Sequence, residues 1–229
     1  MENIFKTYFE QQFREQQSRL PFTPGPVVTI SREFGCPSKL IAMMLTEALN
    51  KQNKGKRSPH WKFINKEIVE ESARKLEIRP TDMNSAFNYS EKGLVKDVLK
   101  SFSPPYVNSF KIKKTLHNVI KSFAQQGNMV IVGRGSVAIL HDRPGTLHIR
   151  LMAPTEWRLK EISASKGISE AEALKMITDM DKKRSALIEL LIDRKIEHTL
   201  FDVVFNCSTF SKEEVVHSII SIMEAKGMI

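Results

Sequence analysis

The stretch Val27-Val28-Thr29-Ile30-Ser31-Arg32-Glu33-Phe34-Gly35-Cys36-Pro37-Ser38-Lys39-Leu40-Ile41 decides the fold. It begins as a β-branched run, turns at Gly35 and Pro37, and opens the helical spacing of Leu40, Ile41, Met44, Leu45 and Leu49. Strand, loop and helix in that order aim backbone N–H groups and a helix N-terminus at an anion. The consensus phosphate loop reads G-x-x-x-x-G-K-[ST], with glycines for close backbone approach, a Lys for the outer phosphates and a hydroxyl for Mg²⁺. Two registers are open. With Lys39 as the loop lysine, Glu33 and Ser38 stand at the glycine positions and Leu40 in the hydroxyl slot; with Ser38 in the lysine slot, Arg32 and Pro37 replace the glycines. The layout matches and the consensus does not, so an ordinary strand-to-helix loop of an α/β core stays an open alternative.

Outside this stretch, composition bounds the answer. A chain of 229 residues, 41% hydrophobic and 27% charged, is that of a soluble globular protein with one domain or a domain carrying an insert. No apolar run approaches the roughly 18 residues of a membrane span, and residues 1–20 are polar rather than signal-like, so the expectation is a cytoplasmic protein with no membrane partner. The net charge of +9 asks for an anionic partner: nucleic acid, a membrane surface or a phosphorylated small molecule. Local density at Lys51–Arg57 and Lys111–Lys114 reads as solvated faces. The six histidines lack metal-ligand spacing, so no metal is expected on protein ligands, and Cys36 and Cys207 form neither a disulfide framework nor a metal cluster. At a helix start, Cys36 is either a reactive thiol or simply a small loop residue.

Along the chain, Ile4, Phe5, Tyr8, Phe9 and Phe13 predict an amphipathic helix over 1–22 that packs on the body or on a second copy, leaving a homodimer open. A helix over about 38–52, a strand at Trp61–Ile64 and a helix from Asn65 through Lys75 continue the alternation that favours a parallel sheet. Residues 76–128 break this pattern with Pro80, an Asn-rich 84–88, Ser103-Pro104-Pro105 and the helical spacing of Leu116, Val119, Ile120 and Phe123. Met129–Val132 then runs into Gly133-Arg134-Gly135-Ser136, setting Arg134 at a strand's C-terminal end, where ligands bind in parallel sheets. It is a phosphate or carboxylate ligand or an ordinary turn arginine. Residues 147–152 form another strand, Thr155 is a candidate N-cap, and Ser169 with Glu172 makes a capping box. The helix behind it carries Asp181-Lys182-Lys183-Arg184, cations that close over phosphates or form an exposed face. A strand over 201–206 and a helix over 212–223 end the chain.

The ordered set Ile30-Ser31-Arg32-Glu33-Phe34-Gly35, Phe63-Ile64-Asn65-Lys66-Glu67, Val130-Ile131-Val132-Gly133-Arg134-Gly135, Asp142-Arg143-Pro144, Ala153-Pro154-Thr155-Glu156-Trp157-Arg158, Asp181-Lys182-Lys183-Arg184 and Phe201-Asp202-Val203-Val204-Phe205-Asn206 resembles the cytidylate-kinase-like family of bacterial proteins, over about 27–225. The resemblance implies a three-layer P-loop NTPase-like α/β fold: a five-stranded parallel sheet (core 23–75 and 129–229), a helical monophosphate-binding insert over about 76–128 and a helical lid over about 168–198. It implies ATP on Arg32, Gly35, Cys36, Ser38 and Lys39, with Mg²⁺ on its terminal phosphates. An acceptor monophosphate is implied at Gly133, Arg134 and Gly135, and catalytic cations at Lys39, Arg158, Lys183 and Arg184. The chain departs from the family pattern where Gly35-Cys36-Pro37-Ser38-Lys39 replaces a Gly-Ser-Gly-Gly-type loop followed by Arg, and where Gly135 stands in place of an Asp. Pro37 has no N–H to donate. Three classes of function follow: a nucleotide phosphotransferase, a nucleotide-binding or regulatory protein that keeps the fold, and, supported only by charge, a nucleic-acid binder; no RRM, KH or zinc-finger signature accompanies the last.

Overall fold

A computed structural model describes residues 24–53, 59–81 and 109–229. The helix expected over 1–22, the Asn-rich 84–88 and Ser103-Pro104-Pro105 lie outside these residues. The elements are β1 (Val27–Arg32), α1 (Ser38–Gln52), β2 (Lys62–Ile64), α2 (Lys66–Leu76), α3 (Ser109–Gln126), β3 (Met129–Val132), α4 (Ser136–Leu140), β4 (Thr146–Met152), α5 (Thr155–Lys166), α6 (Glu170–Ile192), a 3₁₀ turn at His198–Leu200, β5 (Val203–Asn206) and α7 (Lys212–Ala225).

β1 is the middle strand of a sheet in the order β2-β3-β1-β4-β5, and every pairing is parallel. Both faces are covered, which is why Val27, Val28, Ile30 and all of β3 are buried apolar residues whichever face they point to. Val28 and Ile30, with Val130, Val132, Leu147, Ile149, Leu151 and Phe205, pack beneath α1 and α7. Val27, Met129, Ile131 and Ile64 face the opposite way, onto α2 and α3. Thr29 and His148, paired in register, break the apolar pattern of that second face and satisfy each other through Thr29 Oγ1 and His148 Nδ1 at 2.7 Å.

Because the strands are parallel, the loops that follow β1, β3, β4 and β5 all open at one edge, and β1 is where the strand order reverses. The 23-residue α6, about 35 Å long at 1.5 Å per residue, spans that edge. Ala173 and Ile177 near its start pack on Ile162 of α5. Ile188 and Leu191 near its end pack on Val137 and Ala138 of α4. Its N-terminus carries the expected capping box, Ser169 with Glu172, and α7 starts with a second, Ser211 with Glu214. Thr155 is not the cap of α5: Pro154, extended at φ −53° and ψ 142°, takes that position with no side-chain cap. The Thr155 hydroxyl instead lies 3.4 Å from an Arg158 guanidinium nitrogen.

Candidate active site

Two loops meet at the switch point, beginning with residues 33–37 after β1. Pro37, at φ −81° and ψ 46°, sits in an inverse γ-turn closed by the Ser38 N–H donating to the Cys36 carbonyl at 2.9 Å. The Glu33 N–H donates to Leu151 O, the Cys36 N–H to Glu33 O and the Phe34 N–H to the Asp181 carboxylate at 2.6 Å. Among the described residues, Gly35 alone of residues 33–38 keeps a backbone N–H with no partner. The loop thus spends on the protein the donors that a consensus loop leaves for phosphate.

Arg158 explains how. Its side chain is 7% exposed and lies beneath the loop, where it donates to Ala153 O and Phe34 O and pairs with Asp181. Glu33 lies 3.5 Å from Arg158 Nε and 4.0 Å from Arg150, and accepts the Ala153 N–H. A Cβ at Gly35, whose φ is +99°, would press on Arg158 and Ile162 at 3.2 Å, so this close packing requires glycine. Lys39 is exposed on the first turn of α1, Ser38 is buried and Leu40 is exposed.

The second loop, residues 133–135, is built differently. Gly133, Arg134 and Gly135 have φ of 70°, 58° and 71°. An arginine in the left-handed region costs about 1–2 kcal/mol, strain of the kind that gathers at functional sites. A Cβ on Gly133 would fall 1.8 Å from the Arg32 guanidinium, so glycine there lets Arg32 lie across the loop backbone. Arg184 of α6 donates to Arg32 O at 3.3 Å and stacks over Phe34 at 5.4 Å. Three arginines therefore converge. Burial, then Arg184 and Arg134, lower Arg32 to about 9; burial and Arg184 lower Arg134. Burial also lowers Arg184, which Asp181 partly offsets. Guanidinium groups gathered in this way are suited to an anionic ligand.

Of the residues singled out from sequence, the edge gathers Arg32, Gly133, Arg134 and Arg184 around one point and sets Gly35, Cys36 and Ser38 in the neighbouring loop. Lys39 and Lys183 carry no recorded side-chain partner among the described residues, whereas Arg158 is committed to protein acceptors. Asp181 and Glu33, which tie the first loop down, were missed as site residues; the i, i+3 spacing of Asp181 and Arg184, which puts both on one helix face, was the available signal. Beside the first loop, a cavity of about 210 Å³ is lined by Gly35, Pro37, Trp157, Cys207, Phe210 and Lys212 among others. Among the described residues no three His, Cys, Asp or Glu side chains cluster as a metal site, and no helix is long and apolar enough to cross a membrane.

A five-stranded parallel sheet in this order, with helices on both faces and a degenerate phosphate loop after its central strand, defines a P-loop kinase-like fold. Residues 27–209 match the cytidylate kinase-like family, and the chain belongs to it. Membership supports a phosphotransferase. A solved structure of an uncharacterized protein from Eubacterium ventriosum is similar at 22% identity and a TM-score of 0.62, covering 87% of this chain and 98% of that one; the likeness is one of fold. Shikimate kinase from Bacteroides thetaiotaomicron, at 12% identity, 87% and 98% coverage and a TM-score of 0.49, is too distant to carry an argument. A uronate isomerase of Corynebacterium glutamicum is 25% identical over 114 residues, 49% of this chain, which spans only 22% of that protein's length.

Proposed function

We propose that the protein is a cytoplasmic nucleoside-monophosphate-kinase-like phosphotransferase that moves the γ-phosphoryl of ATP to CMP or a related phosphorylated acceptor. The observation that carries this reading is the meeting of Arg32, Arg134 and Arg184 at the switch point, where the charges acting on Arg32 are cations. Arg134 holds the acceptor monophosphate, on a loop whose Gly133 and Gly135 let Arg32 and Leu191 pack against its backbone. Each charge-assisted hydrogen bond of this kind contributes roughly 1.5–3 kcal/mol. ATP lies along Arg32, Gly35, Cys36, Ser38 and Lys39, with the Gly35 N–H and the first turn of α1 as donors and Lys39 as a point charge. Lys183 and Arg184, on α6 acting as the lid, neutralise charge that develops on the transferring group. Arg158 is a positioning residue that keeps the loop in shape.

In this reading an acceptor phosphate oxygen attacks the γ-phosphorus, the bond to the β-phosphate oxygen breaks, and ADP leaves. Catalysis comes from alignment and electrostatics without a covalent protein intermediate. Mg²⁺ takes most of its coordination from phosphate and water, which fits a site whose hydroxyl slot holds the exposed Leu40 and whose described residues offer no carboxylate cluster. Bound with ATP, the ion supplies charge neutralisation at the terminal phosphates.

A second reading, a nucleotide-binding or regulatory protein with weak or no turnover, is favoured by the commitment of the Phe34 N–H to Asp181 and by Pro37. Calorimetric titration with ATP plus Mg²⁺, followed by CMP and the other monophosphates, and then a coupled ADP-release assay, separates the two. Saturable binding of both ligands with ADP release supports the kinase. Nucleotide binding without release supports the second reading, and binding of neither ligand overturns both.

A further inference from the structure

The thiols of Cys36 and Cys207 stand 171 positions apart in sequence, and the phosphoryl-transfer steps use the sulfur of neither. Cys36 belongs to the β1–α1 loop, and Cys207 follows directly on β5, its N–H donating to Met152 O at 2.7 Å. Both are free, both are nearly buried, and both belong to one core cluster. The fold thus makes a thiol pair of two residues that sequence separates. Contact between the two side chains raises Cys36 above the ordinary thiol range and lowers Cys207. Burial and Glu33 oppose ionisation of both, while Arg158 favours it at Cys36. Cys207 also lines the cavity of about 210 Å³ beside the loop, so it is reached from outside without unfolding.

We propose that Cys36 and Cys207 are an oxidation site at which a hydroperoxide, entering through this cavity, closes a disulfide that pins the β1–α1 loop to the end of β5. The Cys207 thiolate attacks the distal peroxide oxygen; the O–O bond breaks and the alkoxide or hydroxide leaves, taking a proton to become alcohol or water. Cys207 is then a sulfenic acid. The Cys36 sulfur attacks the Cys207 sulfur, the S–O bond breaks, and hydroxide leaves with the Cys36 proton as water. With hydrogen peroxide, two thiols and one peroxide give one disulfide and two waters. The chemistry of the pair depends on no reading of the substrate.

The test treats the reduced full-length protein with hydrogen peroxide, blocks residual thiols with iodoacetamide and measures the intact mass without reductant. The expected product is monomeric, lighter by two hydrogens, unalkylated at both cysteines and restored by dithiothreitol. In Cys36→Ser the reaction stops at a Cys207 sulfenic acid that dimedone traps; in Cys207→Ser little oxidation occurs. Oxidation to sulfinic acid without a bridge, an intermolecular disulfide, or a bridge that forms only as denaturant unfolds the protein would each overturn the proposal. The mass readout does not involve nucleotide, so it stands apart from any failure of the kinase reading.

Discussion

The loop after β1 and the loop after β3 open side by side at the same edge and have opposite electrostatic states. In the first, Glu33 and Asp181 are set against Arg158, and the backbone N–H groups are largely consumed by the protein. In the second, Arg32, Arg134 and Arg184 crowd together at the expense of their own charged forms. The first loop has its anions built in, whereas at the second the charges acting on Arg32 are the guanidinium groups of Arg184 and Arg134. α6 serves both, since Asp181 and Arg184 are one helical turn apart, the first closing loop 33–37 and the second reaching Arg32 O.

The largest effect is expected at Asp181. Removing one partner of a mostly buried ion pair costs about 3–5 kcal/mol, so Asp181→Ala should lower stability in urea unfolding by that order and loosen residues 33–37 to hydrogen exchange. A loss within the range of surface substitutions would mean that the loop is held by something else. Next comes Arg134→Ala, expected to leave the fold intact and to weaken monophosphate binding by about 10–100-fold, as loss of a charged hydrogen bond does; unchanged affinity in calorimetry refutes the acceptor assignment.

Arg32 sharpens the contrast because its effects on stability and binding should have opposite signs. Replacing a buried, repelled cation by an apolar side chain is often neutral to stabilising, so Arg32→Met should raise the thermal midpoint, by about 1 kcal/mol or some 2–4 °C. In the wild type, by contrast, saturating phosphate should raise the midpoint, as any ligand selective for the folded state does, about 2.7 kcal/mol at 100 times Kd, and the variant should lose most of that gain. The pH dependence carries the same sign: with Arg32 lowered from 12.5 to about 9, the unfolded chain binds more protons between those values, so its contribution to stability rises with pH across that window. A variant less stable than the wild type without phosphate would show that Arg32 is paired after all.

The smallest expected effect lies away from both loops, at His148. Burial lowers its pKa, partly offset by Asp202 and the Leu140 carbonyl. Stability should therefore be complete above the unfolded value of about 6.5 and decline as pH falls below it. Urea midpoints between neutral and mildly acidic pH check this, with His148→Gln expected to flatten the slope; identical slopes would move the acid sensitivity elsewhere.

Several residues that carried the family resemblance turn out to hold the fold rather than the ligand. Arg143 donates to Gly25 O, Ala124 O and Pro144 O at the opposite edge of the sheet. Asp202 accepts the His148 N–H, and Asn206 closes the turn after β5 by accepting from Ser208. Of these only the Asn206 turn is local; Arg143 reaches Gly25 and Asp202 reaches His148 across the chain. Like the ties of Arg158 to Asp181 and of Cys36 to Cys207, they were not legible in the sequence, because they link elements distant in the chain.

Sequence alone determined the parallel α/β order, the position of Arg134 at a strand end and the non-consensus loop, since periodicity, turn chemistry and strand-to-helix order are local properties. Tertiary structure alone decided which cations pair with carboxylates and which meet other cations. Lys39, Arg158, Lys183 and Arg184 read alike as positive residues near a cleft. Packing buries Arg158 against two carboxylates, leaves Lys39 in solvent and brings Arg184 to Arg32, because the field at a charge is set by neighbours in space, which only the folded chain supplies.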